Sequence, residues 1–584
     1  MEAVGLGIGT AALISTVIDI FRVVTSFRTY SEATTILSRQ LALEREVLLR
    51  WATEVGLYPK DDGTQTSHSA IPAELLPLVH KIVATIGSLL VKATSTQETK
   101  GKLELDDEDL RHALETFEID PDGQKQPRQS RLSRSINRIK WAIGEEDQMK
   151  DLISTIHAYN TSLHNLIPKP LQIRLDGSLM RSLLYEKTED ELLMIQQASH
   201  PWRKAISVAA SVTALQRGPS RVAPPSSNQL MLQRSKFSSL NSDMARYVTG
   251  YEYQGETIQV LVEWRANRMP HNSEKKFYYI NTCLDLARLL HASQSLDAYR
   301  TMDCIGILDD VEFQHHARVG LVYRIPSTID EAPQPILNNN SVQIYTLYDI
   351  INSKEFSRLR LDQRFELARS LATSLHQLFV SRWYHKNLNS KNILFFMRKD
   401  TSPKEMGLGH TLQPFLSGFD YARPDSPDEM TLKPEMDDFC DRYRHPDCTH
   451  PDSRDSIRYS RRFDIYSLGI LLMELGRWET VDRMQKDYTA QKRRDAAKAP
   501  AAMAPPPLLQ DFQRHLRTRA VESLGFRMGG IYMEAVRFCL NSKNADLKDT
   551  HKEIGVTDPG LGAEEMLIDL FNNEVVAELA KCTV

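Results

Sequence analysis

Cysteine is scarce in this chain of 584 residues, and its six cysteines are scattered between Cys283 and Cys582. Small secreted scaffolds are dense in disulfides, so this usage argues against that class and favours a reducing compartment, the cytoplasm. An excess of one charge is also missing, because 72 Lys and Arg residues nearly balance 76 Asp and Glu residues and leave a net charge of -4. Bulk charge therefore predicts no nucleic-acid partner.

The first segment of the chain is a long run without charged residues. Residues 3–18 (AVGLGIGTAALISTVI) carry no charge, and Asp19 and Arg22 follow them. A membrane-spanning helix needs about 20 apolar residues, and a signal peptide needs basic residues where this chain has only Glu2. Two interpretations stay open, a buried first helix or a helix that enters a membrane conditionally. In the second case the membrane-contacting side chains include Leu6, Ile8, Leu13 and Ile14.

Hydrophobic periodicity divides the chain into two parts. Residues 1–213 have apolar positions at helical spacing and no alternating strand pattern, which predicts an all-α helical bundle. Residues 214–236 are rich in Pro, Ser and Arg and are predicted to be a linker. Residues 237–584 are predicted to be an α+β domain, with strand patterns at 247–265, 304–310 and 318–326 and helices after residue 348. An Ala/Pro-rich, low-complexity insertion near 484–508 is expected to be disordered.

Three motifs of the second part follow one another along the chain, and both their order and their spacing are informative. They read YHKNLNSKNILFF at 384–396, LSGFDYAR at 416–423 and RFDIYSLGILLMEL at 462–475. They resemble the catalytic loop, the metal-binding loop and the large central helix of protein kinases, and YRHPD at 443–447 stands where kinases have Ala-Pro-Glu. The resemblance implies a two-lobed protein-kinase-like fold over residues 237–584.

The positions that would perform phosphoryl transfer are altered. His385 matches the structural histidine of the catalytic loop, and Asn392 matches the asparagine that holds the second metal ion. Asn387, however, replaces the catalytic Asp, and Gly418 replaces the metal-binding Asp, with Asp420 two residues late. A neutral amide is not a useful base, so we predict that this loop does not catalyse the reaction.

The strand that should anchor ATP departs in the same way. No GxGxxG loop precedes VLVEWR, and Glu263 stands where kinases have the ATP-anchoring Lys, so its negative charge would repel phosphates. The sequence therefore predicts a pseudokinase with no catalytic residue, no metal and no cofactor. The alternative is an atypical active kinase that binds ATP and magnesium through Asp420 and through Arg265, which lies on the same strand face as Glu263.

The first part of the chain also has a family resemblance. The opening AVGLGIGTAALISTVIDIFRVV and the later IKWAIGEEDQMKDLISTIHAYNTSLHNLI resemble the HeLo domain of filamentous fungi, the prion-inhibition and propagation domain of heterokaryon-incompatibility proteins. The resemblance implies a bundle whose first helix is released into membranes during programmed cell death. It further implies anionic membrane lipids and a homo-oligomer as partners on activation, with relocation from the cytoplasm to the plasma membrane.

The leading hypothesis is thus a non-catalytic signalling effector in which a pseudokinase regulates a membrane-active HeLo domain and answers to an unknown upstream signalling protein. A scaffold without membrane activity is the other alternative. A basic run from Lys125 to Lys140 is either a solvated face or a contact with anionic lipids. The spacing of Cys440, His445, Cys448 and His450 matches no structural zinc site.

Overall fold

The computed structural model describes most of the chain as two compact units. The first unit comprises the described residues up to 207, and the second comprises the described residues from 208 to 584. The basic run at 125–140 lies outside the described residues, which are 2–25, 32–59, 69–94, 146–185, 187–217, 230–240, 244–265, 274–293, 296–310, 318–326, 342–398, 413–425, 437–449, 458–497, 508–541 and 563–584.

The first unit is built from helices, which confirms the prediction of a helical N-terminal region. In chain order they are α1 (Glu2–Thr25), α2 (Glu32–Glu54), α3 (Leu76–Thr94), α4 (Glu146–Asn165), α5 (Lys169–Leu184), α6 (Glu189–Ser199) and the first residues of α7 (Lys204–Arg217). Helix α1 packs mainly against α3 and α2. Their apolar faces form one buried core that includes Val17, Phe21, Leu41, Leu48, Trp51, Val83, Leu90, Ile153 and Ile156.

A buried carboxylate ties the end of the first unit to its core. Glu44 on α2 accepts hydrogen bonds from Asn160 of α4 at 2.8 Å and from Arg203 at 3.1 and 3.2 Å, and it lies 3.0 Å from His157 Nδ1. Burial alone would raise the pKa of Glu44, but the contact with His157 and the charge of Arg203 outweigh it and hold that pKa below its ordinary value. Removing the Arg203 guanidinium would leave the buried Glu44 carboxylate without this ion pair.

A four-stranded antiparallel sheet begins the second unit. Its strands are β1 (Arg246–Tyr253), β2 (Glu256–Arg265), β3 (Cys304–Asp310) and β4 (Arg318–Arg324), in the spatial order β1-β2-β4-β3. Gln254 and Gly255 join the first two strands with φ angles of 53° and 88°, the backbone that a two-residue hairpin requires. Helix α8 (Glu274–Ser293) packs on β3.

The rest of the second unit is mainly helical. Its largest elements are α10 (Leu361–Val380), α12 (Arg461–Arg477), α13 (Val481–Ala497) and α16 (Gly530–Asn541), and its other helices are α9 (Leu347–Asn352), α11 (Pro446–Thr449), α14 (Leu509–His515), α15 (Ser523–Met528), α17 (Ala563–Phe571) and α18 (Ala577–Leu579). Short strands form two small sheets, β5 (Val342–Thr346) with β7 (Ile393–Arg398) and β8 (Phe415–Leu416), and β6 (Trp383–Tyr384) with β9 (Arg423–Pro424). Helix α12 is buried on nearly every side, which makes it the centre of this helical part.

Two expectations about irregular segments are corrected by the structure. Residues 484–497 of the expected disordered insertion belong to helix α13, because Tyr488 stacks on His515 at 4.7 Å and contacts the Phe512 ring at 5.7 Å. Residues 230–236 of the predicted linker lie on the four-stranded sheet, where Met231 pairs with Ile307 of β3. Tertiary contacts thus order segments whose composition alone predicts a loop.

Candidate functional site

The loop that carries the predicted catalytic positions is fixed by the central helix. Asp464 of α12 accepts hydrogen bonds from the backbone N–H groups of His385 and Lys386, each at 2.8 Å, and from the Tyr459 hydroxyl at 2.8 Å. Two consecutive amides held by one buried carboxylate leave this backbone little freedom. Asp464 was missed as a functional position from the sequence, although an acidic residue in a largely apolar helix is the kind of signal that points to such a role.

His385 holds two loops together. Its imidazole is buried, its Nε2 lies 3.0 Å from the Ser417 carbonyl oxygen, and its Nδ1 accepts from the Asn387 N–H at 3.3 Å. Burial lowers the pKa of His385 to about 3, so the ring is neutral at physiological pH. His385 is therefore a positioning residue that links the loop at 385–392 to the loop at 417–420.

Asn387 and Asp420 are brought together by this arrangement. The Asn387 side-chain amide donates to Asp420 Oδ2 at 3.0 Å. Burial, and then the nearby charge of Glu263, raise the pKa of Asp420 to about 6, while Arg246 and Arg265 act in the opposite direction. Asp420 is thus hydrogen-bonded to Asn387, and both burial and the charge of Glu263 disfavour its ionised form.

Glu263 has a partner that the sequence analysis missed. Arg246 stands directly opposite Glu263 in the β1–β2 register and donates to its carboxylate at 2.6 Å. The same carboxylate oxygen accepts from the Gly418 N–H at 2.8 Å, and Glu263 is only 2% exposed. The signal was present in the sequence, because a two-residue turn at 254–255 sets the register that pairs residues 246 and 263.

Asn392 and Gly418 complete the same network. Asn392 Oδ1 accepts from Arg246 at 2.9 Å, and its Nδ2 donates to the Asn387 carbonyl oxygen at 2.8 Å. A side chain at position 418 would place its Cβ only 2.1 Å from Asn392 Cγ, and the φ of 78° at Gly418 is itself unfavourable for other residues. The position predicted to have lost its metal-binding Asp has no room for one in this backbone.

Arg265 is engaged by backbone carbonyls. Its guanidinium donates to the Asp420 carbonyl oxygen at 3.1 Å and to the Ala422 carbonyl oxygen at 2.8 Å, and it lies 5.4 Å from the centre of the Tyr279 ring. Arg265 is 1% exposed. It fastens the 420–422 segment to the sheet, and its donors point at protein atoms.

The residues present do not fit a bound magnesium nucleotide. Phosphate and magnesium would need an available cation and two carboxylates, whereas Glu263 pairs with Arg246 and Asp420 accepts from Asn387. Within the described ranges, no group of three His, Cys, Asp or Glu side chains could hold a metal ion. What this polar network can do is join the four-stranded sheet to the loops at 385–392 and 417–420.

The four predicted membrane residues divide between two environments in α1. Leu13 and Ile14 belong to the buried core, with Ile14 fully buried. Leu6 is half-buried and Ile8 is 68% exposed, and a Cβ added at Gly7 or Gly9 would meet nothing within 4 Å. Residues 6–9 of α1 therefore form an apolar, partly uncovered segment, which we call the Leu6–Gly9 tip.

The tip is attached to α3, which is itself apolar. Thr10 is buried and its hydroxyl lies 3.2 Å from His80 Nδ1, and a Cβ on Gly87 would stand 3.0 Å from Val17, so the two helices approach closely. Among the described residues, one helix, Ala73–Ala93, is long and apolar enough to cross a membrane, and 44% of that window is buried. Length and composition alone do not separate a membrane helix from a core helix.

Comparisons with known families agree with one of the two resemblances. Residues 324–580 match a family described as a domain of unknown function, DUF7580, which bears neither for nor against a protein kinase. No curated protein matches the chain. Residues 3–195 match the HeLo family, described as prion-inhibition and propagation, which supports a role in incompatibility or cell-death signalling. The N-terminal part of this chain is therefore similar to HeLo domains.

Proposed function

We propose that this protein is a non-catalytic cell-death effector, in which a kinase-derived but inactive second unit regulates a membrane-active HeLo domain. The observation that carries the proposal is the network of Arg246, Glu263, Asn387, Asn392 and Asp420, where side chains at the predicted catalytic positions bond to one another. Because the polar groups of this network bond to one another, we infer that the network links the sheet to the two loops and does not bind phosphates.

The descent of the second unit from a protein kinase is supported by the order of its motifs and by how they meet. The altered catalytic loop, the altered metal loop and the central helix converge through His385 and Asp464, as expected if the scaffold persists after its chemistry is lost. Phosphoryl transfer needs a carboxylate beside the substrate hydroxyl, and Asn387 offers only a neutral amide, already bonded to Asp420. ATP, magnesium and other cofactors are accordingly not part of the proposed function.

The Leu6–Gly9 tip supports the membrane part of the proposal. The uncharged part of α1, residues 3–18, rises about 24 Å at about 1.5 Å per residue, which is short of a hydrocarbon core of about 30 Å, so a single copy would need local thinning of the bilayer or oligomerisation. The two charged residues near the end of α1, Asp19 and Arg22, form an ion pair at 2.8 Å that lessens the penalty of bringing them toward lipid. Burial of α1 in the bundle and in lipid would remove the same apolar surface from water, so a trigger of modest energy could shift one state to the other. The proposed partners are anionic lipids, further copies of the chain and an upstream signalling protein, and the proposed path leads from cytoplasm to plasma membrane.

Liposome leakage tests the proposed function with a matched pair of variants. Ile8→Glu adds one carboxylate at an exposed position of α1, and Ser154→Glu adds one at an exposed position of α4, so neither should alter folding much. A charge within an inserting helix opposes insertion by about 3 kcal/mol, and of these two positions only residue 8 lies in α1. A fragment of residues 1–213 should release dye from anionic vesicles as wild type and as Ser154→Glu, but not as Ile8→Glu. No leakage from any folded fragment would favour the scaffold hypothesis instead.

A further inference from the structure

The outward side of α3 has few of the charged residues that a helix packed on a core normally presents to water. Its exposed or half-buried positions recur at the spacing of one helical face about 21 Å long, which we call the α3 stripe: Leu78, Lys81, Thr85, Ser88 and Lys92. Helix α3 contains no acidic residue, and no charged residue lies between the two lysines. The strongly polar side of an ordinary amphipathic helix is therefore missing from α3.

The two hydroxyl groups of the α3 stripe are bonded inside the helix. Thr85 Oγ1 donates to the Lys81 carbonyl oxygen at 2.8 Å, and Ser88 Oγ donates to the Ala84 carbonyl oxygen at 3.0 Å. A hydroxyl that donates to its own helix loses less on leaving water than a hydroxyl without such a bond. Between its two lysines the stripe is thus suited to a medium that offers few hydrogen-bond partners.

Leu78 and the lysines give the α3 stripe the composition of an interfacial helix. Leu78 is 44% exposed, and Lys81 stands one turn further along the same face. Helices that lie at a membrane surface combine exposed apolar side chains with lysines whose stems snorkel toward the headgroups. The acidic residue nearest to the stripe along the chain, Glu74, precedes the helix in a short 3₁₀ turn. The charges of the stripe itself are all positive, which complements an anionic surface.

The α3 stripe is turned away from α1. A Cβ on Gly87 would stand 3.0 Å from Val17, and His80 lies 3.2 Å from the Thr10 hydroxyl, so these two positions of α3 face α1. At about 100° per residue they lie about 180° and about 200° around the helix from Leu78. Contact of the stripe with another surface therefore leaves the packing of α1 on α3 in place.

We propose that the α3 stripe is a docking surface for an anionic lipid bilayer, which the folded helical bundle uses before α1 leaves the core. In this arrangement the Lys81 and Lys92 ammonium groups meet lipid phosphates, and the Leu78 side chain enters the boundary between headgroups and acyl chains. A second copy of the chain is a poorer occupant, because two identical stripes would bring lysines against lysines. The inference rests on the proposed function, since it adds a step ahead of the insertion of α1.

Binding of the full chain to vesicles tests the docking surface without any need for lysis. The probes are vesicles of phosphatidylcholine with and without phosphatidylserine, and wild type should sediment only with the anionic ones. Lys81→Glu should weaken this binding about thirtyfold, because it changes the charge by two units at an anionic surface. Lys204→Glu makes the same change at an exposed lysine of α7 and should bind as wild type does.

A second pair of variants tests the apolar part of the stripe. Leu78→Glu should weaken binding about tenfold, whereas Leu193→Glu, at a similarly exposed position of α6, should not weaken it. All four replaced side chains are exposed, so the melting temperature should stay close to that of wild type. Equal binding by the two members of either pair would overturn the proposal, as would absence of binding by folded wild type. A dimer in solution that Leu78→Glu dissociates would assign the stripe to a second copy and overturn it as well.

Dye release from the same vesicles separates this proposal from the proposed function. Ile8→Glu should bind as wild type does but release no dye, since its charge lies on α1, whereas Lys81→Glu should release less dye because it binds less. Equal release by wild type and Lys81→Glu would overturn the place of docking ahead of insertion. Binding through the stripe without dye release from wild type would count against the proposed function and leave the docking surface in place.

Discussion

Replacing Asp420 by Asn distinguishes two hypotheses for the second unit: a catalytically inactive structural network and an active kinase that uses Asp420 to bind magnesium. The pKa of Asp420 is raised from 3.8 to about 6, first by burial and then by Glu263. At about 1.4 kcal/mol for each pH unit between these values, the ionised carboxylate destabilises the folded second unit by up to about 3 kcal/mol at neutral pH. An Asn at this position retains an acceptor for the Asn387 amide and leaves the backbone bond from Arg265 in place.

The sign of the pH dependence follows from the direction of the shift. A carboxyl whose pKa is higher in the folded state makes the protein most stable below pH 3.8, less stable as the pH rises toward about 6, and constant above that. Asp420→Asn should therefore stabilise the second unit at pH 8, by up to about 3 kcal/mol, and have almost no effect near pH 4.

Urea unfolding at pH 4, 6 and 8 measures this effect, with Asp425→Asn as a control of opposite sign. Asp425 pairs with Arg461 at 2.6 Å, and the charge of Arg461 outweighs burial and lowers the pKa of Asp425, so its replacement should destabilise the fold at pH 8. If Asp420 instead binds magnesium, Asp420→Asn would abolish binding of Mg-ATP. Loss of stability at pH 8, or loss of measurable nucleotide binding, would refute the reasoning.

Three further outcomes follow from the same contacts. Incubation with radiolabelled Mg-ATP should transfer no phosphate to the chain or to a generic substrate, because Asn387 supplies no base; transfer that disappears in Asp420→Asn would contradict this. Gly418→Ala should destabilise the second unit by about 3 kcal/mol in thermal unfolding, since its Cβ would strike Asn392; a neutral effect would show that the loop is not as rigid as described. Glu44→Gln should destabilise the HeLo domain by about 3 kcal/mol above pH 4.5, with the difference vanishing as the pH falls through the lower folded-state pKa; an unchanged melting temperature at pH 7 would count against the ion cluster.

The regular elements were accessible from the sequence because they depend on local patterns. The helical first unit follows from apolar residues at helical spacing. The hairpin at 246–265 follows from β-branched and aromatic runs around a turn, and the structure places β1 and β2 there. Helix α13 was not accessible in the same way, because its polar, Ala-rich sequence suits both a loop and a helix, and the decision depends on the rings of Phe512 and His515.

The altered catalytic positions could be identified from the sequence, but the contacts that their side chains make in the folded protein could not. Glu263 was understood as a charge that repels phosphate, whereas the structure shows it bonded to Arg246 and to the Gly418 N–H. Such contacts join residues up to 155 positions apart. Comparison of short motifs cannot predict contacts between residues so distant in the sequence. In α1 the limit is physical, because an apolar stretch satisfies a core and a bilayer equally well, and only the fold assigns Ile14 to the core and Ile8 to the surface.

Viability of cells that express residues 1–213 tests the central claim most directly, namely that the protein acts through its N-terminal helix. The account predicts that the wild-type fragment and Ser154→Glu, whose charge lies on α4, kill the host cell, and that Ile8→Glu, whose charge lies on α1, leaves the cell alive at equal expression. Cells that remain viable with a folded wild-type fragment, or that die equally with Ile8→Glu, would contradict it.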